Sequence, residues 1–282
     1  MKNSLYTGLY HNLPIDEYHS DRSIGSSTLK TLASKTPLHL RKQERKESAA
    51  FDFGSALHLA VLEPHKEKTI ICGPETRRGN EWKEMKEECE SKGQLLLTTS
   101  DYDSVFLARE SIFKNELCTS LLTGNVEPEI SVFHIDEQTG LRCKIRPDLY
   151  NHDANVMIDL KTCVSASPSA FSKSIADYGY HIQNAFYERV WNEFTGEQLD
   201  GFYFLAVEKE PPYAVALYAL DDDSFLEGWE QALNAMRLYQ SCTDKNEWPG
   251  YSSDVQKISL PRYAFKLTQQ DSAIMRIAKG AA

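Results

Sequence analysis

The strongest constraint on the fold is a pair of alternating segments, the first of which spans residues 141–148. Apolar or small side chains occupy its odd positions and charged side chains its even positions, which is the period of a β-strand with one buried face. The charged side chains are those of Arg142, Lys144, Arg146 and Asp148. Asp148 is therefore expected at the end of a strand, on the same face as three cations.

The second segment, residues 155–161, alternates in the same way. Three aliphatic side chains fall on one face, whereas Asp159 and Lys161 fall on the other. The intervening Asn151-His152-Asp153 is typical of a turn. The sequence thus predicts a hairpin in which Asp148, Asp159 and Lys161 lie on adjacent strands.

Two carboxylates and a lysine placed in this way suit the metal-assisted hydrolysis of a phosphodiester. Hard carboxylate oxygens select Mg²⁺ or Mn²⁺, and the cation polarises a phosphoryl oxygen and lowers the pKa of a bound water. Lys161 can orient that water or neutralise charge in the transition state. For an Asp-x-Lys motif taken alone, an exposed surface pair is the more common explanation.

Downstream, a predicted helix carries two polar side chains on one face. Ser167-Pro168 marks the start of a first helix, a break follows at Tyr178-Gly179, and a second helix ends near Gly196. In the second helix Gln183 and Tyr187 are spaced i and i+4, so both can reach into one cleft. Alternatively, Gln183 is a solvated polar position and Tyr187 an aromatic residue at the edge of the core.

Two further candidates lie upstream of the hairpin. His58 belongs to a predicted apolar helix over residues 53–62, where a lone histidine is more often a hydrogen-bonded core residue than a ligand. Glu129 opens a predicted strand over residues 129–135. Its carboxylate could reach a metal directly or through water.

The remaining pattern predicts one α/β domain. Residues 14–62 are expected to be mostly helical and residues 63–80 irregular. We expect helices at about 81–92, 101–122 and 223–240, strands at 202–207 and 213–218, and a three-stranded catalytic meander at 129–162. Because no Gly/Ser/Pro-rich linker divides the chain, we predict a single nuclease domain over 1–282, with a helical part at about 14–125, a catalytic core at about 126–220 and a C-terminal helix and tail at about 221–282.

The net charge of −10 by itself disfavours nucleic-acid binding, which usually requires a basic footprint. The basic residues are nevertheless clustered, at Arg41, Lys42, Arg45 and Lys46, at Arg77 and Arg78, and at Arg142, Lys144 and Arg146. DNA contacts are predicted at Arg41, Arg77, Arg78, Arg142, Lys144 and Arg146. Taken singly, each cluster is more often only a solvated face.

Together these motifs resemble those of a known nuclease family. The motifs Gly54-x-x-x-His58, Asp148, Asp159-x-Lys161 and Gln183-x-x-x-Tyr187 occur in the order and approximate spacing of the RecB-type branch of the PD-(D/E)xK nucleases. The similarity narrows to the RecE-type exonucleases of phages and prophages (the exodeoxyribonuclease VIII nuclease domain) through Gly140-Leu141-x-Cys143-Lys144-x-Arg146-Pro147-Asp148, residues 180–187 and Trp248-Pro249-Gly250-Tyr251. It extends over about residues 14–265.

The resemblance implies a restriction-endonuclease-like core, with a central mixed sheet flanked by helices. It also implies a Mg²⁺-dependent exonuclease that degrades one strand of double-stranded DNA from 5′ to 3′, releases 5′-mononucleotides and leaves 3′ single-stranded tails for recombination by strand annealing. Ring-shaped tetramers acting on DNA ends, and a single-strand annealing partner of RecT type, are implied as well.

The same resemblance implies roles for individual side chains. His58, Asp148 and Asp159 would be metal ligands, joined by the backbone carbonyl of Leu160. Lys161 would lie at the attacking water. Gln183 and Tyr187 would flank the site, and Glu129 would be a candidate ligand of a second metal.

Cysteine usage and hydropathy bound the remaining possibilities. Some RecB-type nucleases hold an iron-sulfur cluster on four cysteines, but the six cysteines of this chain are scattered singly. We therefore expect neither an iron-sulfur cluster nor zinc, and a cytoplasmic location. Since no stretch approaches the ~18 apolar residues of a membrane span, no membrane association is expected.

Two other functions fit the same motifs. A structure-specific or restriction-type endonuclease of the same superfamily could use the same metal site on a different DNA path. A non-catalytic DNA-binding protein on a nuclease fold is the other alternative. Decay of the site would normally remove Asp148, Asp159 or Lys161, and all three are present.

Overall fold

The computed structural model describes residues 6–42 and 49–264, except for the side chains of 49–52 and 263. The chain divides into two compact units, Met1–Pro249 and Gly250–Ala282. In the second unit the described part contains a short 3₁₀ helix, Arg262–Ala264. All elements discussed below belong to the first unit, and the assignment of a single domain to 1–282 stays a prediction. Arg45 and Lys46 lie outside the described residues.

The described helices of the first unit are grouped mainly before and after a run of consecutive strands at residues 126–163. They are α1 (Ile15–Ser20), α2 (Ser26–Ser34), α3 (Pro37–Lys42), α4 (Ala49–Leu62), α5 (Asn80–Ser91), α6 (Thr99–Lys114), α7 (Glu116–Leu122), α8 (Pro168–Tyr178), α9 (Tyr180–Thr195) and α10 (Asp222–Lys245), with a 3₁₀ helix at Pro64–Thr69. None of the helices in the described part of the chain has the length and apolar character needed to cross a membrane.

The strands in the described part of the chain form three sheets. They are β1 (Gly8–Tyr10), β2 (Ile70–Cys72), β3 (Leu95–Leu97), β4 (Val126–Pro128), β5 (Ser131–Ile135), β6 (Arg142–Ile145), β7 (Leu149–Asn151), β8 (Val156–Cys163), β9 (Gly201–Glu208) and β10 (Val215–Tyr218). A five-stranded sheet has the order β10-β9-β8-β7-β4, a second has the order β1-β5-β6, and β2 pairs with β3. In the five-stranded sheet only the β8–β9 pair is parallel, so the central sheet is mixed and the expected fold class is confirmed.

Alternation along β8 separates two hydrophobic cores. Met157 packs with residues of α2, α9 and α10. Ile158 and Leu160 pack on the opposite face with residues of α4 and α6. Asp159 and Lys161 share the parity of Met157, as the sequence predicts, and their side chains lie on the side of the sheet that faces α9.

The boundaries of α8 and α9 follow the expected local signals. Ser167 precedes Pro168 at the first turn of α8, where the missing N–H of proline costs no helical hydrogen bond. Gly179 ends α8 in the left-handed region with φ 64°, and Gly196 ends α9 in the same way with φ 74°. Both are conformations that favour glycine.

The predicted three-stranded catalytic meander is wrong. β6 ends at Ile145 and belongs to the sheet with β1 and β5, whereas β7 begins at Leu149 in the central sheet. Between them lies Pro147, whose nitrogen cannot donate to a sheet. The chain therefore changes sheets just before Asp148, and Asp148 does not share a strand face with Arg142, Lys144 and Arg146.

Three smaller predictions also need correction. The helix expected over 101–122 is interrupted at Asn115, whose side chain accepts a hydrogen bond from Cys118 N and caps α7. Residues 63–80, expected to be irregular, contain a 3₁₀ helix and β2. The strand expected from Glu129 starts at Ser131, because Glu129 has a φ of 56°, which is outside the β region.

Gly228 permits α9 and α10 to pack in close contact, and its replacement by alanine should destabilise the protein. A Cβ at this position would lie 2.3 Å from the carbonyl oxygen of His181 in α9, and a backbone atom cannot move aside as a side chain can. Alanine improves helix propensity by about 1 kcal/mol, but we expect overpacking to dominate and Gly228→Ala to lower the free energy of unfolding by about 1–3 kcal/mol. Urea denaturation followed by circular dichroism measures this change.

Gly54→Ala is the matched control, because Gly54 also lies within a helix. A Cβ there would meet Thr162 Oγ1 at 3.7 Å, which is an ordinary contact. This variant should be neutral or slightly stabilising. If Gly228→Ala were as stable as Gly54→Ala, the close approach of the two helices would be wrong.

Candidate metal-binding site

Five parts of the chain bring polar side chains together around β8, the middle strand of the central sheet. His58 comes from α4 and Glu129 from the link between β4 and β5. Asp148 comes from the link between β6 and β7. β8 supplies Asp159, Leu160 and Lys161, and α9 adds Gln183. The structure therefore gathers side chains that are up to 125 positions apart in the sequence, as the distance from His58 to Gln183 shows.

Three of these side chains form a candidate metal-binding group. His58, Glu129 and Asp148 each offer a ligand atom, and these atoms lie within 4.8 Å of one another. The Nδ1 atom of His58 is 3.7 Å from Asp148 Oδ2. The group thus combines two carboxylates with one imidazole.

The backbone of Leu160 holds this group together. Its N–H donates to Asp148 Oδ2 at 2.8 Å, and its carbonyl accepts a hydrogen bond from His58 Nε2 at 2.8 Å. Because a carbonyl only accepts, the Nε2 atom of His58 carries the proton in this arrangement and Nδ1 presents a lone pair towards Asp148. The Leu160 carbonyl is thus engaged by His58, and its role as a metal ligand stays a prediction.

Asp159 occupies a different position from the one expected of a direct ligand. Its side chain is only 1% exposed. One carboxylate oxygen forms an ion pair with Lys161, and the other accepts a hydrogen bond from Gln183 Nε2. Asp159 therefore links the lysine of the motif to α9, immediately beside Leu160, and its role as a metal ligand stays a prediction.

Burial and like charges shift the protonation of the group. Burial, and then the Asp159 carboxylate, raise the pKa of Asp148 to about 7. Burial followed by Asp148 also raises the pKa of Glu129. Burial and the nearby Lys161 lower the pKa of His58, which keeps its imidazole neutral and able to bind a cation. A site in which carboxylates are held so close favours a positive ion between them.

Lys161 stays charged in these surroundings. Burial disfavours its ammonium, but Asp159 and Asp148 together outweigh that cost and raise the pKa of Lys161 above its ordinary value. The Nζ atom also lies 4.8 Å from the centre of the Tyr180 ring, a cation–π contact. Lys161 is thus equipped to act as a fixed positive charge and not as a proton acceptor.

Glu129 is held by Arg146 in an unusual backbone conformation. Its φ of 56° is uncommon for a residue other than glycine and often marks functional sites. Its side chain accepts from Arg146 Nε, and its N–H donates to the Asp148 carbonyl at 3.2 Å. Arg146 therefore neutralises Glu129 at the edge of the group.

A cavity of about 780 Å³ opens at the site. Its lining includes His58, Glu129, Arg146, Lys161 and Tyr180. The donor atoms are mostly hard oxygens with one imidazole, a set that fits Mg²⁺ or Mn²⁺. His58 is 30% exposed at its side chain and lines this cavity, but it is also hydrogen-bonded to the Leu160 carbonyl, so its role as a metal ligand stays a prediction.

The other predicted site residues lie outside the metal-binding group, in different surroundings. Tyr187 is buried, and its hydroxyl donates to the Arg146 carbonyl at 3.3 Å, so it supports the loop that precedes Asp148. Arg77 pairs with Asp101 at 2.9 Å, and the Arg41 guanidinium lies 5.4 Å from the centre of the Trp248 ring. Arg78 is exposed. DNA contacts by Arg41, Arg77 and Arg78 stay predictions.

The prediction that Lys144 contacts DNA is corrected by its burial. Only 7% of its surface is exposed, and its ammonium donates to the carbonyls of Tyr18 and Asp21 at 2.7 and 2.8 Å. Arg142 donates to the Tyr6 carbonyl. Both side chains tie the N-terminal segment to β6, because that strand lies in the β1-β5-β6 sheet and not beside the metal-binding group.

Lys30 is a site residue that the sequence analysis missed. Its ammonium donates to Gln183 Oε1 at 3.2 Å and lies 5.9 Å from the centre of the Tyr180 ring. The two residues are 153 positions apart. Nothing in the local pattern of α2 distinguishes this lysine from an exposed one.

The raised pKa of Asp148 predicts how metal binding depends on pH. Below about pH 7 its carboxyl holds a proton, which a cation must displace. Affinity for Mg²⁺ should therefore rise with pH, by up to about tenfold per unit below pH 7, and flatten above it. Isothermal titration calorimetry with Mg²⁺ between pH 5.5 and 8.5 measures this dependence.

Asp148→Asn should weaken Mg²⁺ binding and remove most of the rise in Mg²⁺ affinity between pH 6 and pH 7. Asp103→Asn is a control, since Asp103 is an exposed residue of α6. A flat affinity profile in the unsubstituted protein would show that Asp148 does not titrate at the site.

Comparisons with known proteins agree with the fold. A family model described as "PDDEXK-like domain of unknown function (DUF3799)" matches residues 25–261. The fold is similar to that of a candidate exonuclease from Eubacterium rectale, with a TM-score of 0.62 and 16% identity over 89% of this chain and 97% of that chain. A phage-related exonuclease from Haemophilus somnus 129PT is also similar, at 11% identity over 80% of this chain and 96% of that chain, but its TM-score of 0.35 carries no weight. No curated protein matches the sequence.

Proposed function

The chain belongs to the PDDEXK-like family, which is of nuclease type, and from that premise we propose that it is a metal-dependent exonuclease of double-stranded DNA. The observation that carries the proposal is the convergence of two groups on one cavity. His58, Glu129 and Asp148 form the metal-binding group, and Lys161 is paired with Asp159 beside it. Together they provide a place for a divalent cation and a fixed positive charge next to it.

Each protein group has a distinct part in the proposed reaction. A divalent cation, Mg²⁺ or Mn²⁺, would polarise a phosphoryl oxygen and activate water when bound. Lys161 supplies a fixed positive charge where negative charge develops on the phosphoryl group. Asp159 keeps that ammonium charged and in place, and Gln183 fixes the Asp159 carboxylate through its amide.

The finer properties belong to this proposal as well. We place the protein with the RecE-type enzymes, which digest from 5′ to 3′, release 5′-mononucleotides and leave 3′ tails for strand annealing. A ring tetramer on DNA ends and a RecT-type annealing partner complete the proposal. The described cysteines are all free thiols, which supports a reducing, cytoplasmic location.

Digestion of end-labelled DNA tests the activity directly. Linear duplex labelled separately at each 5′ end and each 3′ end should lose its 5′ labels first as mononucleotides, only when Mg²⁺ or Mn²⁺ is present. Relaxed circular duplex of the same sequence should resist. Cleavage of the circle would identify an endonuclease of the same superfamily, and binding without cleavage of either DNA would identify a non-catalytic DNA-binding protein.

A further inference from the structure

Lys30 brings a second ammonium to the site from an element outside the motif. It lies on α2, and its Nζ donates to Gln183 Oε1 at 3.2 Å. Gln183 donates to Asp159 through its other amide atom. The orientation of the Gln183 amide is therefore fixed, with its oxygen towards Lys30 and its nitrogen towards Asp159.

The path of the Lys30 side chain is shaped by the junction of α8 and α9. A Cβ at Gly179 would lie 3.0 Å from Lys30 Cγ and 3.2 Å from Cδ. The aliphatic stem thus passes over a glycine that also has a left-handed φ of 64°. The centre of the Tyr180 ring lies 5.9 Å from Lys30 Nζ. The Nζ atom of Lys161 lies 4.8 Å from the centre of the same ring.

The two lysines differ in how their charges are balanced. Lys161 is paired with Asp159. Within residues 6–42 and 49–264, the Lys30 ammonium donates to the neutral amide of Gln183. An ammonium has three N–H donors, so two of them can still bind a ligand. Burial, and then the nearby Lys161, lower the pKa of Lys30 to about 8, so an anion bound to the Lys30 ammonium would offset the cost of burying its charge.

We propose that Lys30 is the phosphate-binding cation of the active site, contacting a phosphate of the DNA backbone while Lys161 serves the reacting group. The inference rests on the proposed function, because it needs a phosphodiester substrate bound beside Lys161 and Tyr180. Gln183 and Gly179 are positioning residues for this cation. The ligand class is a phosphate monoester or diester of a DNA strand.

Binding of DNA without cleavage separates this role from others. Duplex DNA with a 5′-phosphate is titrated in Ca²⁺, which occupies oxygen sites but supports little hydrolysis, over a range of salt concentrations. Lys30→Met should weaken binding by about tenfold or more, as expected for the loss of a charge-assisted hydrogen bond. The slope of log K against log salt should become shallower by about 0.9, the amount for one phosphate contact.

Matched variants keep the test decisive. Lys30→Arg keeps the charge and should retain the salt slope. Lys30→Gln keeps a polar side chain without charge and should show the weaker binding and shallower slope expected of Lys30→Met. It replaces Lys30→Met in the test if that variant does not fold. Lys35→Met removes an exposed lysine just after the same helix and should bind DNA as tightly as the unsubstituted protein.

Each outcome has one interpretation. If the unsubstituted protein neither binds nor cleaves DNA, the proposed function fails. If it does both, but Lys30→Met has the same salt slope as Lys35→Met, the phosphate contact is wrong. A reduced single-turnover rate at saturating DNA with unchanged binding would make Lys30 a positioning residue for Asp159 through Gln183, and would also overturn the inference.

Discussion

Asp159→Asn is expected to reduce metal-dependent DNA hydrolysis by roughly 10³- to 10⁴-fold, the range seen when one member of a catalytic unit is removed. Asparagine keeps the size of the side chain but not its charge. The Lys161 ammonium would then lose its partner at a position where burial already disfavours the charged form. Gln183 would face an amide in place of a carboxylate. Single-turnover digestion of end-labelled linear duplex measures the loss.

The fold should survive this substitution. Breaking a buried ion pair at one partner costs about 3–5 kcal/mol when the other charge is left uncompensated, but Asp148 stays close enough to Lys161 to balance part of its charge. We therefore expect an unchanged circular dichroism spectrum, with a free energy of unfolding within about 3 kcal/mol of the original. Asp103→Asn, an exposed change of the same chemistry, should leave the rate intact. Hydrolysis within tenfold of normal in Asp159→Asn would remove Asp159 from the site.

Lys161→Met should lower the rate of hydrolysis by about 10²- to 10³-fold, the effect of deleting one group that stabilises transition-state charge. Methionine preserves much of the aliphatic stem against Tyr180 but removes the ammonium. Mg²⁺ affinity should change little, since Lys161 is a cation and not a ligand. The comparison of turnover with calorimetric Mg²⁺ binding checks both statements.

Two controls accompany this variant. Lys173→Met replaces an exposed lysine of α8 and should have normal turnover. Lys161→Arg retains the charge and should recover part of the rate if charge alone is needed. A Lys161→Met protein that hydrolyses DNA normally would contradict the role of this lysine at the scissile phosphate.

The local parts of the fold were predictable from sequence because their signals are local. Ser167-Pro168, Gly179 and Gly196 mark helix boundaries through backbone chemistry that involves only neighbouring residues. The alternation of residues 156–161 predicted which side chains of β8 enter each core. The Asn151-His152-Asp153 turn joins β7 to β8 as expected.

The partition into three sheets was not predictable in the same way. Period-two alternation shows that residues 142–145 form a strand, but not which sheet the strand joins. The proline at 147 was the available signal that the alternating segment would be interrupted. The β2–β3 pair was missed because each strand has only three residues, which is too short for a periodic pattern.

The candidate site was predicted where a motif marks it and missed where packing creates it. His58, Asp148 and Lys161 were identified from spacing and resemblance, and the structure brings them together with Glu129. The contact between Lys30 and Gln183 depends on how α2 packs against α9. No pattern within either helix carries that information.

The long sequence separations within the site affect how activity emerges during synthesis. The Lys30–Gln183 and His58–Leu160 contacts span 153 and 102 residues, and such distant contacts form only after the intervening chain has collapsed. A nascent chain in which α9 has not yet emerged from the ribosome therefore lacks the complete site. Truncated products that end before α9 should therefore be inactive, because they lack Gln183 and its contacts with Lys30 and Asp159.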